Sequence, residues 1–365
     1  MNTNQDSISP DSVRKKQKLK NILTTIGESL QTVFKNQIYD TTGERPSLIS
    51  IDDVNSIEKG TSKSKVHFVT YYLNTDTGKQ SVNLVMKFSA DDVRYNKEIK
   101  NYSLIASVPD RFPGIYIPKI IYKSPQNKCI IYEGVSGKSF RETQLEKNFK
   151  HQFAGQTLSA IHGTDTSKFV TEPYKKLILY LLSIFGDSSL EEEIVDLMLP
   201  SFLSLERSLG ATMIHGDFHQ GNLIFSSEVT TATPEIMEEF PPKIKVYILD
   251  PEFIMSGRDR AEDIGTFFAK PAMKEFRKYK TLDDTRKNAG AFIEGYNFAL
   301  HKMGADFGLL DLYPEGITVD FHIASYVLYD TSEKILDKQL ELDSEEVQRN
   351  IELLKKILTE KNFTF

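Results

Sequence analysis

One eight-residue segment, from His215 to Asn222, constrains this chain more than any other feature of its sequence. It reads His-Gly-Asp-Phe-His-Gln-Gly-Asn and lies between two short apolar runs, residues 213–214 and 223–225. Short apolar runs bounded by turn residues are typical of buried strands, so we predict a loop that is held by a strand at each end. Such a loop presents an acid, Asp217, and an amide, Asn222, side by side at a fixed distance.

A second carboxylate leaves the end of another short apolar run. Asp250 follows the apolar residues 246–249 and precedes Pro-Glu-Phe. Together with Asp217 and Asn222, it supplies one base and two oxygen ligands. Hard divalent cations prefer oxygen ligands, and Mg²⁺ keeps its remaining coordination positions for water and phosphate.

These segments resemble the signature of the aminoglycoside phosphotransferase and choline kinase superfamily, the small-molecule relatives of protein kinases. That signature is H-G-D-x-x-x-x-N followed by a strand and I-D-x-E; residues 215–222 match it without a gap, and Asp250 stands in the second acidic position. Residues 131–137 resemble the hinge of that family, and residues 158–162 resemble the end of its structural helix. The resemblance covers roughly residues 48–330. It implies an α+β protein with a two-lobed protein-kinase-like fold, in which a small lobe carries a five-stranded antiparallel sheet and a larger lobe is mostly helical.

The resemblance implies a role for each residue that matches. Asp217 would accept or orient the proton of the acceptor hydroxyl, and Asn222 and Asp250 would hold Mg²⁺ that bridges the phosphates of ATP. Lys87, at the end of a predicted strand, would contact the α- and β-phosphates, and Glu98 on the following helix would pair with Lys87. The implied activity is transfer of the γ-phosphate of ATP to an alcohol group of a small molecule, with ATP and Mg as cofactors.

The other implied nucleotide contacts lie at the hinge and in loops. Backbone groups at Glu133 and Val135 would bind adenine, and His219 would either face the γ-phosphate or hydrogen-bond to the loop backbone. The phosphate-covering loop is expected within residues 56–65, which contain one glycine, Gly60, and would rely on hydroxyl groups and lysines. Asp263 resembles a family residue that supports the catalytic loop.

Periodicity and turn residues distribute the chain over two predicted domains, residues 1–132 and 133–365. In the first we predict one amphipathic helix from Pro10 to Ile38, strands at residues 65–73, 82–88, 115–122 and 129–132, and a helix at 91–108. In the second we predict helices at 149–162, 174–185 and 190–209 and throughout the chain after Asp263, with short strands at 213–214, 223–225 and 246–249. The polar connection at 226–243 is expected to form a flap. The lysine-rich start of the first helix fits a solvated face or, alternatively, contact with a membrane or an anionic partner.

Composition argues against several classes of protein. The net charge is −6 and no basic-aromatic stripe stands out, which argues against nucleic-acid binding. No apolar run approaches the roughly 20 residues of a membrane helix, and the first residues are polar. The single cysteine, Cys129, excludes an intrachain disulfide and a thiolate metal cluster. We therefore expect a cytoplasmic protein with no nucleic-acid partner and no membrane span.

The class of the acceptor alcohol stays open at this point. Residues 250–265 look most like the methylthioribose kinase branch and favour a sugar, but that branch uses a Trp-bearing loop and this chain has no Trp. Arg258 and Arg260 would suit an anionic or polyhydroxyl acceptor. The alternative from a different class is a catalytically idle, nucleotide-binding interaction protein of the same fold. Five acidic residues would instead favour a cationic alcohol, such as an aminoglycoside or a choline-like amine: Asp306, Asp311, Glu315, Asp320 and Asp330.

Overall fold

The structure is a computed structural model, and it describes residues 10–61, 64–112, 114–163, 189–205, 211–226, 245–309, 311, 318–360 and 363. The chain divides into two compact units, Met1–Lys97 with Pro118–Val135 and Glu98–Ile117 with Ser136–Phe365. The predicted helix at 174–185 and the predicted flap at 226–243 lie outside the described residues, except for Ser226. The predicted domain boundary between residues 132 and 133 stays a prediction.

The first unit is built on a five-stranded antiparallel sheet in the order β1-β2-β3-β6-β5. Polar and apolar residues alternate along its central strands, so Val69, Tyr71 and Leu73 point to one buried face while Phe68 and Tyr72 are exposed. The prediction of a five-stranded antiparallel sheet is confirmed. Its strands are β1 (Ile49–Thr61), β2 (Ser64–Thr75), β3 (Gly78–Ser89), β5 (Ile120–Ser124) and β6 (Cys129–Glu133).

The buried face of this sheet is covered by two helices, where the sequence predicts one. Helix α1 (Pro10–Ser29) ends at a turn in which the Leu30 N–H donates to the Gly27 carbonyl, and α2 (Gln31–Thr42) follows. Leu30 and Phe34 are fully buried, and the Tyr71 hydroxyl donates to the Leu23 carbonyl at 2.8 Å. The prediction of a continuous helix was wrong because both helices pack on the same sheet, so the apolar spacing continues across the break.

The segment predicted as a phosphate-covering loop is largely a β-hairpin. β1 runs to Thr61 and β2 begins at Ser64, and the two strands stay paired up to Thr61 opposite Ser64. Lys65 and Gly60 are therefore opposite each other in the ladder. The strands extend this far because the β-branched and alternating residues on both sides continue the ladder almost to the turn, and the phosphate-covering role of residues 56–65 stays a prediction.

The second unit is mostly helical, as predicted. Helices α5 and α8 cross closely at two glycines: a Cβ at Gly155 would lie 2.0 Å from the Phe292 carbonyl oxygen, and one at Gly295 would lie 2.1 Å from that of Gln152. The residues of α3 (Asp92–Ile105) are divided, with those up to Lys97 in the first unit and those from Glu98 in the second. The other helices are α4 (Val108–Arg111), α5 (Lys147–His162), α6 (Ser189–Leu205), α7 (Arg260–Tyr279), α8 (Asp283–Lys302), α9 (Thr318–Leu336) and α10 (Glu345–Glu360).

Two small sheets in the second unit position the segments singled out in the sequence. One has the order β4-β10-β9-β7, and the other pairs β8 with β11. The predicted strand at 115–122 is in fact two strands, β4 and β5, because the chain leaves one sheet for another at Pro118, which cannot donate to a ladder. The strands are β4 (Ile115–Tyr116), β7 (Lys138–Ser139), β8 (Ala211–Ile214), β9 (Leu223–Phe225), β10 (Val246–Ile248) and β11 (Met255–Asp259).

None of the helices described in this structure combines the length and the apolar character that a membrane span requires.

Candidate functional site

The loop from His215 to Asn222 leaves β8 and enters β9, as the sequence predicts. Phe218 anchors it: this side chain is fully buried, stacks on Phe267 at 5.7 Å between ring centroids, and meets Phe292 edge-on at 6.4 Å. An aromatic ring in such a cluster contributes both buried area and a defined geometry. The residue before it, Asp217, is therefore held at a fixed place at the edge of the core.

Asp263 on α7 fixes the start of the loop through the backbone. Its carboxylate accepts hydrogen bonds from the His215 N–H at 2.7 Å and from the Gly216 N–H at 2.8 Å. Gly216 has a φ of +77°, and a Cβ there would lie 2.3 Å from the Phe253 carbonyl oxygen, so this position requires glycine. The expected support of the loop by Asp263 is present in the structure.

A buried chain of hydrogen bonds leads from α8 to that carboxylate. His162 Nε2 donates to Asp263 at 3.1 Å, and the Tyr296 hydroxyl donates to His162 Nδ1 at 2.7 Å. Arg260 Nη1 in turn donates to the Tyr296 oxygen at 3.3 Å. Burial lowers the pKa of His162, so the ring is neutral and can donate at one nitrogen while it accepts at the other.

The ionisation of Asp263 follows from the same contacts. Burial opposes the charged form, but the hydrogen bonds from His162 and from the His215 backbone hold the pKa of Asp263 below its ordinary value. The carboxylate thus stays charged and accepts hydrogen bonds from His162 and from the backbone N–H groups of His215 and Gly216.

Asp217 lies beside Asn222, at the position where the sequence predicts a base. Asn222 Nδ2 donates to the Asp217 carbonyl at 3.0 Å and to the Asp217 carboxylate at 3.3 Å. Desolvation, followed by the charge of Asp250, raises the pKa of Asp217 to about 7. A carboxylate with a pKa near neutrality is suited to accept a proton at physiological pH.

His219 makes the backbone hydrogen bond that was one of its two expected roles. Its Nδ1 accepts from the Gly221 N–H at 2.9 Å, so the ring proton is on Nε2, which lies 3.6 Å from the Asp217 carboxylate. Burial, with Lys270 nearby, lowers the pKa of His219 to about 4. The ring is therefore neutral, and it supplies no positive charge next to Asp217.

Asp250 stands in a strained backbone conformation. It is one of few non-glycine residues here with positive φ, at φ +59° and ψ +65°, immediately before the turn Pro251–Phe253. β9 and β10 pair with Leu223 opposite Ile248, and the Leu249 N–H donates to the Asn222 carbonyl at 2.9 Å, so the chain brings Asn222 and Asp250 to the same end of this sheet. Strain of this kind is concentrated at functional sites.

The turn after Asp250 is tied to α3. Asn101 is buried, and its amide donates to the Glu252 carbonyl at 2.6 Å. This buried hydrogen bond from a side-chain amide fixes the position of the turn, and with it Asp250, relative to α3.

Asn222 and Asp250 offer two oxygen donors, and a metal ion held by them would need non-protein ligands as well. No group of three or more His, Cys, Asp or Glu side chains that could hold a metal occurs within the part of the chain that the structure describes. Because Asn222 Nδ2 faces Asp217, the amide oxygen is left as a potential ligand on the opposite side. One amide oxygen and one carboxylate fit Mg²⁺, which retains several waters and binds phosphate oxygens.

The other predicted site residues lie on defined elements. Lys87 is on β3 between Val66 and Ile130 of the neighbouring strands and is buried, with 6% of its surface exposed. Glu98, on α3, is also buried, at 1%. Burial of a lysine or a glutamate to this extent is uncommon and points to a specific role for each.

The predicted hinge continues β6. The Glu133 N–H donates to the Lys119 carbonyl at 3.0 Å, and the Glu133 carboxylate accepts from the Lys119 N–H at 2.9 Å. The Gly134 N–H donates to the Asn83 carbonyl at 3.1 Å, and Val135 follows without regular structure. The hinge backbone up to residue 134 is therefore held by the sheet of the first unit.

A cavity of about 340 Å³ opens next to Asp217. Its walls come from the loop between His215 and Asn222, from the turn after Asp250, from β11 and from the facing sides of α7 and α9. This volume is at the lower end of the range for small-molecule sites. The lining residues are Gly216, Asp217, Phe253, Arg258, Glu262, Thr266, Phe321, His322, Ser325, Tyr326 and Tyr329.

The two arginines considered for the acceptor have different places. Arg258 lines this cavity and makes two hydrogen bonds of 2.9 Å to the carboxylate of Glu262. Arg260 is buried, at 2% exposed, and donates to Tyr296 and to the Gly163 carbonyl. The suggestion that Arg260 meets the acceptor was wrong, because its side chain is turned into the core that supports Asp263.

The acidic residues considered for a cationic acceptor do not line the cavity, as far as they are described. Asp320 accepts from the Phe363 N–H at 3.0 Å, Asp330 pairs with Lys334 at 2.9 Å, and Asp306 is exposed. Asp311 accepts from a backbone N–H within its own loop at 2.7 Å. Glu315 lies outside the described residues.

A second cavity, of about 380 Å³, shares Thr266 with the first. Arg141 and Lys270 are its charged lining residues, and both are basic. Lys270 also lies 5.9 Å above the ring of Tyr326, which lines the first cavity.

Sequence reasoning missed Tyr296, Asn101 and Tyr326. The first two act across more than one hundred residues of chain, on His162 and on the turn after Asp250, and no local pattern marks such a partner. A signal did exist for Tyr326: His322, Tyr326 and Tyr329 recur at steps of four and three on one helix, so they share a face.

Comparison with known proteins bears on the fold. No protein-family model and no curated protein sequence matches the chain. Choline kinase LicA from Streptococcus pneumoniae matches with a TM-score of 0.50 at 13% sequence identity, over 91% of this chain and 99% of that one. The fold is the protein-kinase-like fold of a choline kinase. The predicted α+β fold class is thereby confirmed, and the resemblance stated from the sequence is confirmed at the level of the fold.

Two further solved structures match somewhat less well. An ethanolamine kinase from Plasmodium vivax has a TM-score of 0.49 at 12% identity, covering 84% of this chain and 83% of that chain. The aminoglycoside phosphotransferase APH(2'')-Ib, solved with ADP bound, has a TM-score of 0.48 at 14% identity, covering 90% of this chain and 98% of that chain.

Proposed function

We propose that this protein is an ATP- and Mg-dependent phosphotransferase that moves the γ-phosphate of ATP to an alcohol group of a small molecule. One observation carries the proposal. Asp217, whose pKa is about 7, lines a cavity of about 340 Å³, and its carboxylate accepts a hydrogen bond from the Asn222 amide. A base poised near neutrality at the wall of a small-molecule cavity is what proton removal from an alcohol requires.

In the proposed reaction, the acceptor hydroxyl lies in the cavity within hydrogen-bond reach of the Asp217 carboxylate. As the hydroxyl oxygen forms its bond to the γ-phosphorus, the bond from that phosphorus to the β,γ-bridging oxygen breaks and ADP leaves. The hydroxyl proton passes to Asp217. Asn222 keeps the carboxylate oriented, and the Asp263 network keeps the loop backbone from moving.

We propose that Asn222 and Asp250 hold Mg²⁺, and that Lys87, Glu98 and the backbone at Glu133 and Val135 serve the nucleotide, in the roles that the sequence resemblance implies. When bound, Mg²⁺ neutralises charge on the phosphate oxygens. In this proposal the neutral His219 ring lies beside Asp217, with Nε2 3.6 Å from the carboxylate, and its contribution to nucleotide binding is secondary.

The test is a transfer assay with γ-labelled ATP, Mg²⁺ and a metabolite extract, analysed for labelled organic phosphate by mass spectrometry. The matched blank is the Asp250→Ala variant, which lacks one proposed metal ligand. A labelled phosphate ester that forms with the wild-type protein and not with the variant supports the function. Nucleotide binding without any labelled ester would favour the idle nucleotide-binding protein instead.

A further inference from the structure

The cavity beside Asp217 gathers aromatic side chains that the fold leaves exposed. Phe253 is 39% exposed and Tyr329 is 38% exposed, and both line this cavity. Large apolar side chains exposed singly need no explanation, but two that converge on one concave surface mark a place where a ligand covers them.

Two more rings complete the wall. Phe321 and Tyr326 line the same cavity from α9, and the rings of Tyr326 and Tyr329 lie 6.4 Å apart at 60°. Tyr326 and Tyr329 are three residues apart on the helix, so they form part of one face. A ligand in this cavity would therefore lie against aromatic rings contributed by the turn after Asp250 and by α9.

Three charged side chains are among the described residues that line the cavity: Arg258, Glu262 and Asp217. Arg258 and Glu262 neutralise each other through two hydrogen bonds of 2.9 Å. Lys270 lies 5.9 Å over the ring of Tyr326, so that ring is already next to a cation. Because Glu262 is bonded to Arg258, Asp217 is the one carboxylate among the described residues of the wall that Arg258 does not engage, and in the proposed reaction Asp217 faces the acceptor hydroxyl.

We infer that the acceptor is an uncharged alcohol whose hydroxyl is borne on a ring, and that the ring stacks against Phe253, Tyr326 and Tyr329 while the hydroxyl faces Asp217. This inference rests on the proposed phosphotransferase function and names the substrate class of its site. A ligand with ammonium groups would face Arg258, and the one lining carboxylate that Arg258 does not engage, Asp217, is already assigned to the hydroxyl, so the ammonium charges would lack partners.

Binding of uncharged and charged ring alcohols to the protein without nucleotide tests this inference. The probes are two matched pairs, methyl glucoside with its 2-amino counterpart and cyclohexane-1,4-diol with 4-aminocyclohexanol, measured by saturation-transfer NMR and titration at pH 7. We expect the uncharged member to bind about tenfold more tightly in at least one pair. A difference in the glucoside pair would indicate a polyhydroxyl ring, and a difference in the cyclohexane pair would indicate an apolar ring. Tighter binding of the amines, or no binding of either uncharged probe, would overturn the inference.

Alanine variants locate the binding. Tyr329→Ala and Phe253→Ala should each weaken binding of the uncharged probe about tenfold, because each removes an aromatic face from the cavity. The matched control is Tyr279→Ala, which removes an exposed tyrosine of α7 that does not line the cavity. Equal binding by Tyr329→Ala, Phe253→Ala and the control would contradict the placement.

A charge variant tests the reason for the selectivity. Arg258→Gln removes the partner of Glu262, so the preference should shift toward the amine probe by about tenfold. The control is Arg277→Gln, which breaks an Arg–Glu pair of 3.0 Å with Glu346 on the surface and should not change the preference. An unchanged preference in Arg258→Gln would refute the charge argument.

These binding measurements need no phosphoryl transfer, so they fail separately from the proposed function. Selective binding of uncharged rings without formation of a labelled ester would support the inference about the cavity and contradict the proposed phosphotransferase activity. Formation of a labelled ester on polycationic alcohols alone would support the proposed phosphotransferase activity and contradict the inference that the acceptor is uncharged.

Discussion

At the residue scale, the chemistry converges on Asp217, which the sequence identified from its place in the loop. The sequence could place Asp217, Asn222 and Asp250 because their spacing and the flanking strands are local features. It could not supply the pKa of Asp217, which depends on desolvation by surrounding elements and on the charge of Asp250. Nor could it reveal Tyr296, whose partner His162 lies 134 residues away.

The raised pKa of Asp217 leads to a prediction on the protein without metal. Carbon-detected NMR of the side-chain carboxyl group should show Asp217 titrating at about 7. Asp250→Asn should lower this pKa, because it removes the repulsion, but not to the value of 3.8 for a solvated carboxyl, because the desolvation remains. An unchanged titration in Asp250→Asn would show that the two carboxylates do not interact.

Tyr296 gives a second prediction at this scale. Tyr296→Phe leaves the buried His162 Nδ1 without its hydroxyl donor, which should cost about 1–3 kcal/mol of stability and lower kcat while KM for the acceptor stays the same. Chemical denaturation and steady-state kinetics measure the two effects. The control Tyr279→Phe removes an exposed hydroxyl and should change neither. A stable variant with full kcat would show that Tyr296 does not position the loop.

At the element scale, the sequence predicted most helices and strands but not the places where tertiary packing decides. The strand at 115–122 splits at Pro118 because its two halves join different sheets, and this pairing depends on residues far away in the chain. The helix predicted from Pro10 to Ile38 breaks at Leu30. An apolar residue at this position fits a continuous helix as well as two helices, because Leu30 is buried, so the sequence does not mark the break.

The loop from His215 to Asn222 provides the prediction at this scale. Gly216→Ala should lower turnover about a hundredfold, because a Cβ at 2.3 Å from the Phe253 carbonyl oxygen must displace the loop or the turn after Asp250. Gly43→Ala is the matched control: its φ of +76° is nearly the same, but no atom lies within 4 Å of the added Cβ. The control should lose about 1 kcal/mol of stability and keep its activity. Equal activities of the two variants would contradict the argument.

At the scale of the whole molecule, the fold class followed from the resemblance, and two buried histidines contribute to how the folded chain responds to acid. Burial lowers the pKa of His151 to about 4 and of His322 to about 3, from 6.5 in the unfolded chain. Between pH 6.5 and 4 these two histidines therefore bind more protons in the unfolded chain, so the stability that they contribute is fully present above pH 6.5 and is lost as the pH falls.

Each buried histidine should contribute a slope of up to about 1.4 kcal/mol per pH unit in that window. Urea denaturation at pH 7.5 and pH 5 measures the difference in unfolding free energy. His151→Gln should reduce the difference, while His301→Gln, which changes an exposed histidine of α8, should leave it unchanged. A difference that is the same in wild type and His151→Gln would contradict this account.

The most direct test of the central claim, that Asp217 is the base of a phosphotransferase, is the Asp217→Asn variant with two readouts. Phosphoryl transfer to the acceptor identified by the labelled-ATP screen should fall by at least about a hundredfold, since the variant cannot take up the hydroxyl proton. Calorimetry should show unchanged Mg·ATP affinity, and the variant should melt no lower than wild type at pH 8, because it lacks a desolvated charge. Retention of more than about a tenth of the turnover would contradict the claim, since general-base catalysis is worth about 10²–10⁴.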